Sequence, residues 1–236
     1  MNAFPFSFCG QAFEARASGA LWAVEAQMLV VGDLHLGKPE RVARRGGQML
    51  PPYGDEATLD KLAAEIDATQ AKTVLSLGDG FDDNRAAENL SPETLERLMS
   101  LLSVADWIWV GGNHDPGPPP FAGQKVSVFD HDGIAFRHIA QPNASGEISA
   151  HYHPKATLAL GGTRVSRPCF LIDQRRIILP AFGAFTGGLS CREQVLSELM
   201  GPEALAVLTG KSARAVPMPR GQLKEALSPA PPRRFG

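Results

Sequence analysis

Asp33, Asp79, Asn113 and five histidines stand in short motifs: Gly32-Asp33-Leu34-His35, Gly78-Asp79, Gly112-Asn113-His114-Asp115, His138, and Ala150-His151-Tyr152-His153-Pro154. Imidazole nitrogen combined with carboxylate and amide oxygen suits intermediate first-row cations such as Mn, Fe, Zn or Ni. No thiolate accompanies the set, and it is too large for one tetrahedral zinc. It has the size that two cations need. In hydrolytic sites such cations stand about 3.5–4 Å apart and clamp the attacking and leaving oxygens. Two divalent ions are the expected cofactor, and hydrolysis is the expected chemistry.

Taken singly, each motif has a plainer explanation. Asp33 or Asp79 alone suits a turn or a helix cap, and Asn113 beside glycine suits a turn. His151 and His153 alternate along a strand-like segment, as ligands or as surface residues. Co-occurrence separates them from these alternatives, because each motif lands on a strand end, in one order along the chain. His131, between Asp130 and Asp132-Gly133, falls in an expected hairpin turn and is set aside as a solvated loop residue in favour of His138.

The elements that must position these residues can be traced in the pattern. Phe4, Phe6 and Phe8 alternate with small or polar residues, as in a strand with one buried face. Met28–Val31, Thr73–Leu77 and Trp107–Val110 are apolar runs that end in glycine and polar residues. Between them, Leu59, Leu62, Ala63 and Ile66 follow a helical period after the turn-rich 51–55. Ser91 and Pro92 open a second helix whose stripe is Leu95, Leu98, Met99 and Leu102. Past the proline-rich 116–120 come short strand-like runs around 126–129, 134–136, 157–160, 169–172 and 176–179, with Asp132-Gly133 as a hairpin turn. Ser190-Cys191-Arg192-Glu193 has the form of a capping box ahead of Val195, Leu196 and Leu199. The order implies mixed sheets covered by helices, and in open α/β sheets ligands sit outside the carboxyl ends of the strands. That collects the motifs at one rim. Trp107 and Trp109 belong to the core. From Pro217 the chain is rich in proline and basic residues, so 1–216 is the expected domain and 217–236 a loose tail.

Composition limits the alternatives. The 236 residues are 44% hydrophobic and 20% charged, which excludes a disordered chain, a collagen-like fibre and a disulfide-stapled miniprotein. The balance of 23 basic against 25 acidic residues argues against a surface coated in positive charge, though not against a local basic groove. Cys9, Cys169 and Cys191 are odd in number and lack C-x-x-C spacing, as expected of reduced thiols in the cytoplasm. No apolar run approaches the roughly 18 residues of a membrane span, and no signal peptide is expected at the N-terminus.

The order D-x-H, G-D, G-N-H-D, H, H-x-H resembles the calcineurin-like metallophosphoesterases. That resemblance implies an α/β fold, a four-layer αββα sandwich of two mixed sheets flanked by helices. It implies that Asp33, His35 and His153 hold one metal, that Asn113, His138 and His151 hold the second, and that Asp79 bridges both. His114 would be the catalytic histidine beside the site. Two positions depart from the family pattern: Ala150 and Arg137 stand where glycine is usual. Over about residues 5 to 210, Leu34-His35-Leu36-Gly37-Lys38, Pro51-Pro52-Tyr53, Arg167-Pro168-Cys169-Phe170 and the run from Leu179 to Gly188 are similar to the bacterial ligase-associated metallophosphoesterases. Members of that group are DNA endonucleases or phosphodiesterases. The likeness implies manganese as the usual metal, DNA as substrate, and an ATP-dependent DNA ligase and a helicase as repair partners.

In the implied reaction, two cations lower the pKa of a bridging water so that hydroxide attacks phosphorus in line. His114 protonates the departing oxygen or stabilises the phosphoryl charge. Asp115 either orients His114 or caps its loop. Lys38, Arg41, Arg44 and Arg45 follow the first motif, as a phosphate-backbone contact or as a solvated face. Thr186 and Gly187 offer backbone amides to a phosphate or form a tight turn into the last helix. Two rivals to a DNA phosphodiesterase stand beside it: hydrolysis of a small nucleotide or other phospho-compound, and a non-catalytic scaffold, which normally lacks ligands.

Overall fold

The computed structural model describes residues 2–38, 53–115 and 121–221. Strands β1 (Ala3–Phe8), β2 (Gln11–Arg16), β3 (Leu21–Ala23) and β4 (Met28–Val31) form an antiparallel meander. From β4 the sheet continues in parallel through β5 (Thr73–Leu77), β6 (Asp106–Val110) and β7 (Gln124–Val126). The crossovers carry helices α1 (Gly54–Thr69), α2 (Asn84–Glu88) and α3 (Pro92–Leu102). The second sheet contains β8 (Phe129–His131), β9 (Ile134–Phe136), β10 (Glu147–Ser149), β12 (Thr163–Ile172), β13 (Arg176–Ile178), β14 (Leu205–Leu208) and β15 (Arg214–Pro217). Strand β11 (Lys155–Leu160) pairs with β12, and helix α4 (Gln194–Leu199) precedes β14. Both sheets are mixed.

Side-chain alternation explains the layering, because successive residues of a strand face opposite ways. Met28, Val30, Leu75, Leu77, Ile108 and Val110 meet Phe136, Ile148, Phe170 and Ile177 between the sheets. Their neighbours Leu29, Val31, Val74, Trp107 and Trp109 pack outward on Leu59, Leu62 and Ile66 of α1 and Leu98 and Leu101 of α3. On the far side, Cys169, Leu171, Ile178 and Ala206 pack on Leu196 and Leu199 of α4. The result is helix, sheet, sheet, helix. Cutting fully buried Leu59 to alanine would cost about 2–5 kcal/mol.

The local rules hold in most places. Ser91 Oγ accepts a hydrogen bond from the Thr94 amide at 3.1 Å, with Pro92 opening α3. The buried face of α3 is Thr94, Leu98 and Leu101, whereas Leu95 and Met99 of the expected stripe are exposed. Asp132 and Gly133 both have positive φ and join β8 to β9, the twist that a two-residue hairpin requires. The capping box at Ser190 does not form. Its hydroxyl accepts from the Arg192 amide, and α4 begins only at Gln194, behind a Glu193 that makes no side-chain cap. Residues 217–220 are packed on the domain: β15 reaches Pro217, Met218 is buried, and Arg220 donates to the Ser197, Met200 and Gly201 carbonyls. Residues 222–236 lie outside the described residues. Among the described residues, no helix is long and apolar enough to cross a membrane.

Candidate metal centre

Both sheets end at the same rim. The parallel strands β4, β5 and β6 lead into residues 32–35, 78–83 and 111–115, while β9, β10 and β13 lead into 137–138, 150–153 and 179–183. Backbone bonds tie these loops to one another. Gly32 forms a parallel bridge with Ala181, the Phe182 amide donates to Gly32 O at 2.8 Å, and the Gly183 amide donates to Asp33 O at 3.0 Å. The His35 amide donates to Asp79 O at 2.9 Å. Glycine is required where loops touch: a Cβ on Gly78 (φ +81°) would lie 2.5 Å from the His138 ring, and one on Gly112 would run into Asp79 and Asp115.

Five of the residues singled out in the sequence, Asp33, His35, Asp79, His151 and His153, have φ between +45° and +65°. Such a conformation costs a non-glycine residue about 1–3 kcal/mol and survives only where the surroundings enforce it. Here the interloop bonds enforce it.

The side chains converge in three groups that can hold a cation: Asp33, His35 and His153; Asp79, His138 and His151; and His35, Asp82 and His114. Around His138 Nε2 stand Asn113 Oδ1 at 2.9 Å, His151 Nδ1 at 3.2 Å and Asp79 Oδ2 at 3.4 Å. Two ligands of one cation with bonds of about 2.0–2.2 Å lie about 3.0–3.5 Å apart, so these spacings fit a shared ion. In the first group, Asp33 Oδ1 and His153 Nε2 are 3.0 Å apart, buried, and without a hydrogen bond from the protein. A cation between them supplies what both atoms lack. Asp79 Oδ2 also lies 4.0 Å from His35 Nε2, between the first two groups.

A family model described as calcineurin-like phosphoesterase matches residues 26–167, a span containing every one of these donors. The chain is a calcineurin-like phosphoesterase. No curated protein matches it. Among solved structures it is similar to the crystal structure of Pseudomonas putida nuclease MPE, with 28% identity and a TM-score of 0.72 over 91% of this chain and all of that one. Family and neighbour together make this phosphoesterase a metal-dependent phosphoester hydrolase.

Hydrogen bonds set which ring nitrogens are free. His138 Nδ1 donates to Leu77 O at 2.8 Å, which directs Nε2 into the donor group. His114 Nδ1 donates to Asp82 O at 3.0 Å, so Nε2 is the ring nitrogen this bond leaves open. Burial alone would raise the Asp79 carboxyl, but the His138 imidazole and the His114 amide outweigh it and hold the group at about 2. Burial also opposes charge on His138, yet the Asp79 and Asp33 carboxylates carry its pKa upward. Burial, followed by the charge on His138, lowers His151. The imidazoles and carboxylates of this phosphoesterase are therefore poised in opposite senses within one cluster.

Of the two readings of Asp115, the loop-holding one stands. Asp115 does not orient His114; its oxygens accept from the Asp79 amide at 3.0 Å and the Phe81 amide at 2.9 Å, and burial raises its carboxyl to about 6. Asp82, not singled out from the sequence, is 1% exposed, and its Oδ1 stands 3.0 Å from His35 Nδ1. The hint was an Asp82-Asp83 pair three residues after Asp79, of which Asp83 caps α2 and leaves Asp82 for the site. His131 ends β8, partly exposed beside Asp132 and outside all three groups. Ala150 fits because residue 32 is glycine: a Cβ there would lie 2.6 Å from the Ala150 methyl. Lys38 is partly buried at the end of the first motif, Thr186 and Gly187 lie beside His153 on one cleft, and Arg41, Arg44 and Arg45 lie outside the described residues.

Proposed function

We propose that this phosphoesterase is a phosphodiesterase acting on DNA, a single-strand endonuclease of DNA repair working in the cytoplasm with a DNA ligase and a helicase. The observation that carries the hydrolytic part is the position of Asp79 between two groups of donors. Asp33, His35 and His153 would hold one ion, and Asn113, His138 and His151 the other, with Asp79 shared. When bound, two divalent ions, with manganese the expected metal, supply an activated water near neutral pH and neutralise charge on the phosphate. The nuclease neighbour and the resemblance of the Leu179–Gly188 run support DNA as the ester.

The chain's own residues do the rest. His114, anchored through Nδ1 to Asp82 O, carries a proton on Nε2 and gives it to the departing oxygen. Asp82 and Leu77 O fix the rings of His35 and His138, so the donors need no rearrangement on binding. The test is manganese-dependent nicking of circular single-stranded DNA by wild type and His114→Ala, with and without chelator. Nicking that needs both metal and His114 is expected. Hydrolysis of a generic phosphodiester without any DNA cleavage would overturn the DNA reading.

A further inference from the structure

A cleft of about 380 Å³ opens beside His153, outside the donor groups. Its walls include Lys61 from α1, Lys155 from β11, and the segment from Phe185 to Gly187, and among the described residues no carboxylate lines it. Lys61 is largely buried; its ammonium donates to Phe182 O at 2.5 Å and lies over the Phe182 ring. The nearest acid acting on it, Glu65, is already paired with Arg16 at 2.5 Å. Lys155 reaches only the Thr186 carbonyl, at 3.5 Å, and Thr186 Oγ1 is buried with no partner. The cleft thus concentrates positive charge and an unused hydroxyl, with no anion from the protein to match them.

At its mouth an aromatic ring is left in solvent. Phe185 is 52% exposed and leans on Tyr53, 56% exposed, with ring centroids 6.0 Å apart at 65°. The Phe185 backbone is held at φ +56°, a conformation that costs a bulky residue energy and presents the ring outward. An exposed ring beside a cationic pocket is what single-stranded nucleic acid uses, stacking a base on the one and placing a phosphate in the other.

We infer that this cleft is a nucleotide subsite flanking the reacting phosphate, with Lys155, Lys61 and Thr186 taking the neighbouring backbone phosphate and Phe185 the base. The inference rests on the DNA reading above. It assigns to the cleft the binding of a strand rather than of an isolated diester.

The test is fluorescence anisotropy of a short labelled single-stranded oligonucleotide with metal-free protein, titrated across salt. Lys155→Gln should flatten the dependence of log Kd on log salt by about 0.7, the contribution of one single-strand phosphate contact. Phe185→Ala should weaken binding about five- to hundredfold and leave that slope unchanged. Variants that bind as wild type does, while the metal-loaded wild type cleaves the strand, would overturn the subsite alone. A wild type that hydrolyses bis(4-nitrophenyl) phosphate but neither binds nor cleaves the oligonucleotide would overturn the DNA reading and the subsite with it.

Discussion

The two donor groups share residue types but are held differently. Around His138 the protein supplies its own order: Leu77 O fixes the ring, and Asn113, His151 and Asp79 close in at 2.9–3.4 Å. Around Asp33, Oδ2 accepts from the His151 amide at 3.0 Å, while Oδ1 faces the His153 nitrogen and Asp82 faces His35, each pair 3.0 Å apart. The His138 group is held by a side chain and a backbone carbonyl acting on its ring nitrogens, the Asp33 group by a backbone amide and facing ion pairs. The difference teaches that one polar rim can fix its two halves by different means, hydrogen bonds to ring nitrogens in one and a backbone amide with facing charges in the other.

The sharpest way to break this comparison is at the shared residue. Asp79→Ala should cost about a thousandfold or more in kcat, because several kcal/mol of metal-ion stabilisation is lost, and bound metal measured by elemental analysis should fall in both groups. His114→Ala should cost on the order of 10²–10⁴ in kcat with metal content retained. Metal lost in that variant would instead make the His35, Asp82 and His114 group a true ligand set. Asp82→Ala should weaken one ion about 10–100-fold by freeing His35, while the ion at His138 stays, as a competitive chelator titration would show.

The smallest effect is on stability. Asp55, partly buried at the start of α1 with its Oδ2 accepting from the Gly37 amide, is pushed from about 3.8 up to about 6 by burial, with Asp82 and Glu56 adding to the push. The folded state therefore binds more protons than the unfolded one between those values, and Asp55 costs stability progressively as pH rises from about 4 to 6. Asp55→Asn should flatten the pH dependence of Tm in that window. An unchanged slope would assign it to the rim carboxylates instead.

Asp33, Asp79 and Asn113 stand out in the sequence because each sits beside glycine at the end of a strongly apolar run, and the parallel half of the first sheet was legible for the same reason. Other parts were not. Strands β2 and β3 lack a strong alternating apolar signal, with Phe13 and Ala15 their main inward residues from β2. The bracing role of Asp82 depends on a distance between loops, which spacing along the chain does not encode. Left-handed backbone at five non-glycine donors runs against local propensity and is imposed by tertiary bonds. Ser190 shows the converse failure: the right letters for a capping box lie in a segment whose backbone is claimed by Lys155 and Tyr152.

The bridge between Gly32 and Ala181 has a consequence for biogenesis. All the donors have left the ribosome once His153 has, yet the rim closes only when the segment after β13 reaches back across the length of the domain to Gly32 and Asp33. Joining points so far apart is entropically slow and waits for both sheets. A nascent chain would therefore expose its candidate ligands before residues 181–183 draw them together at the rim.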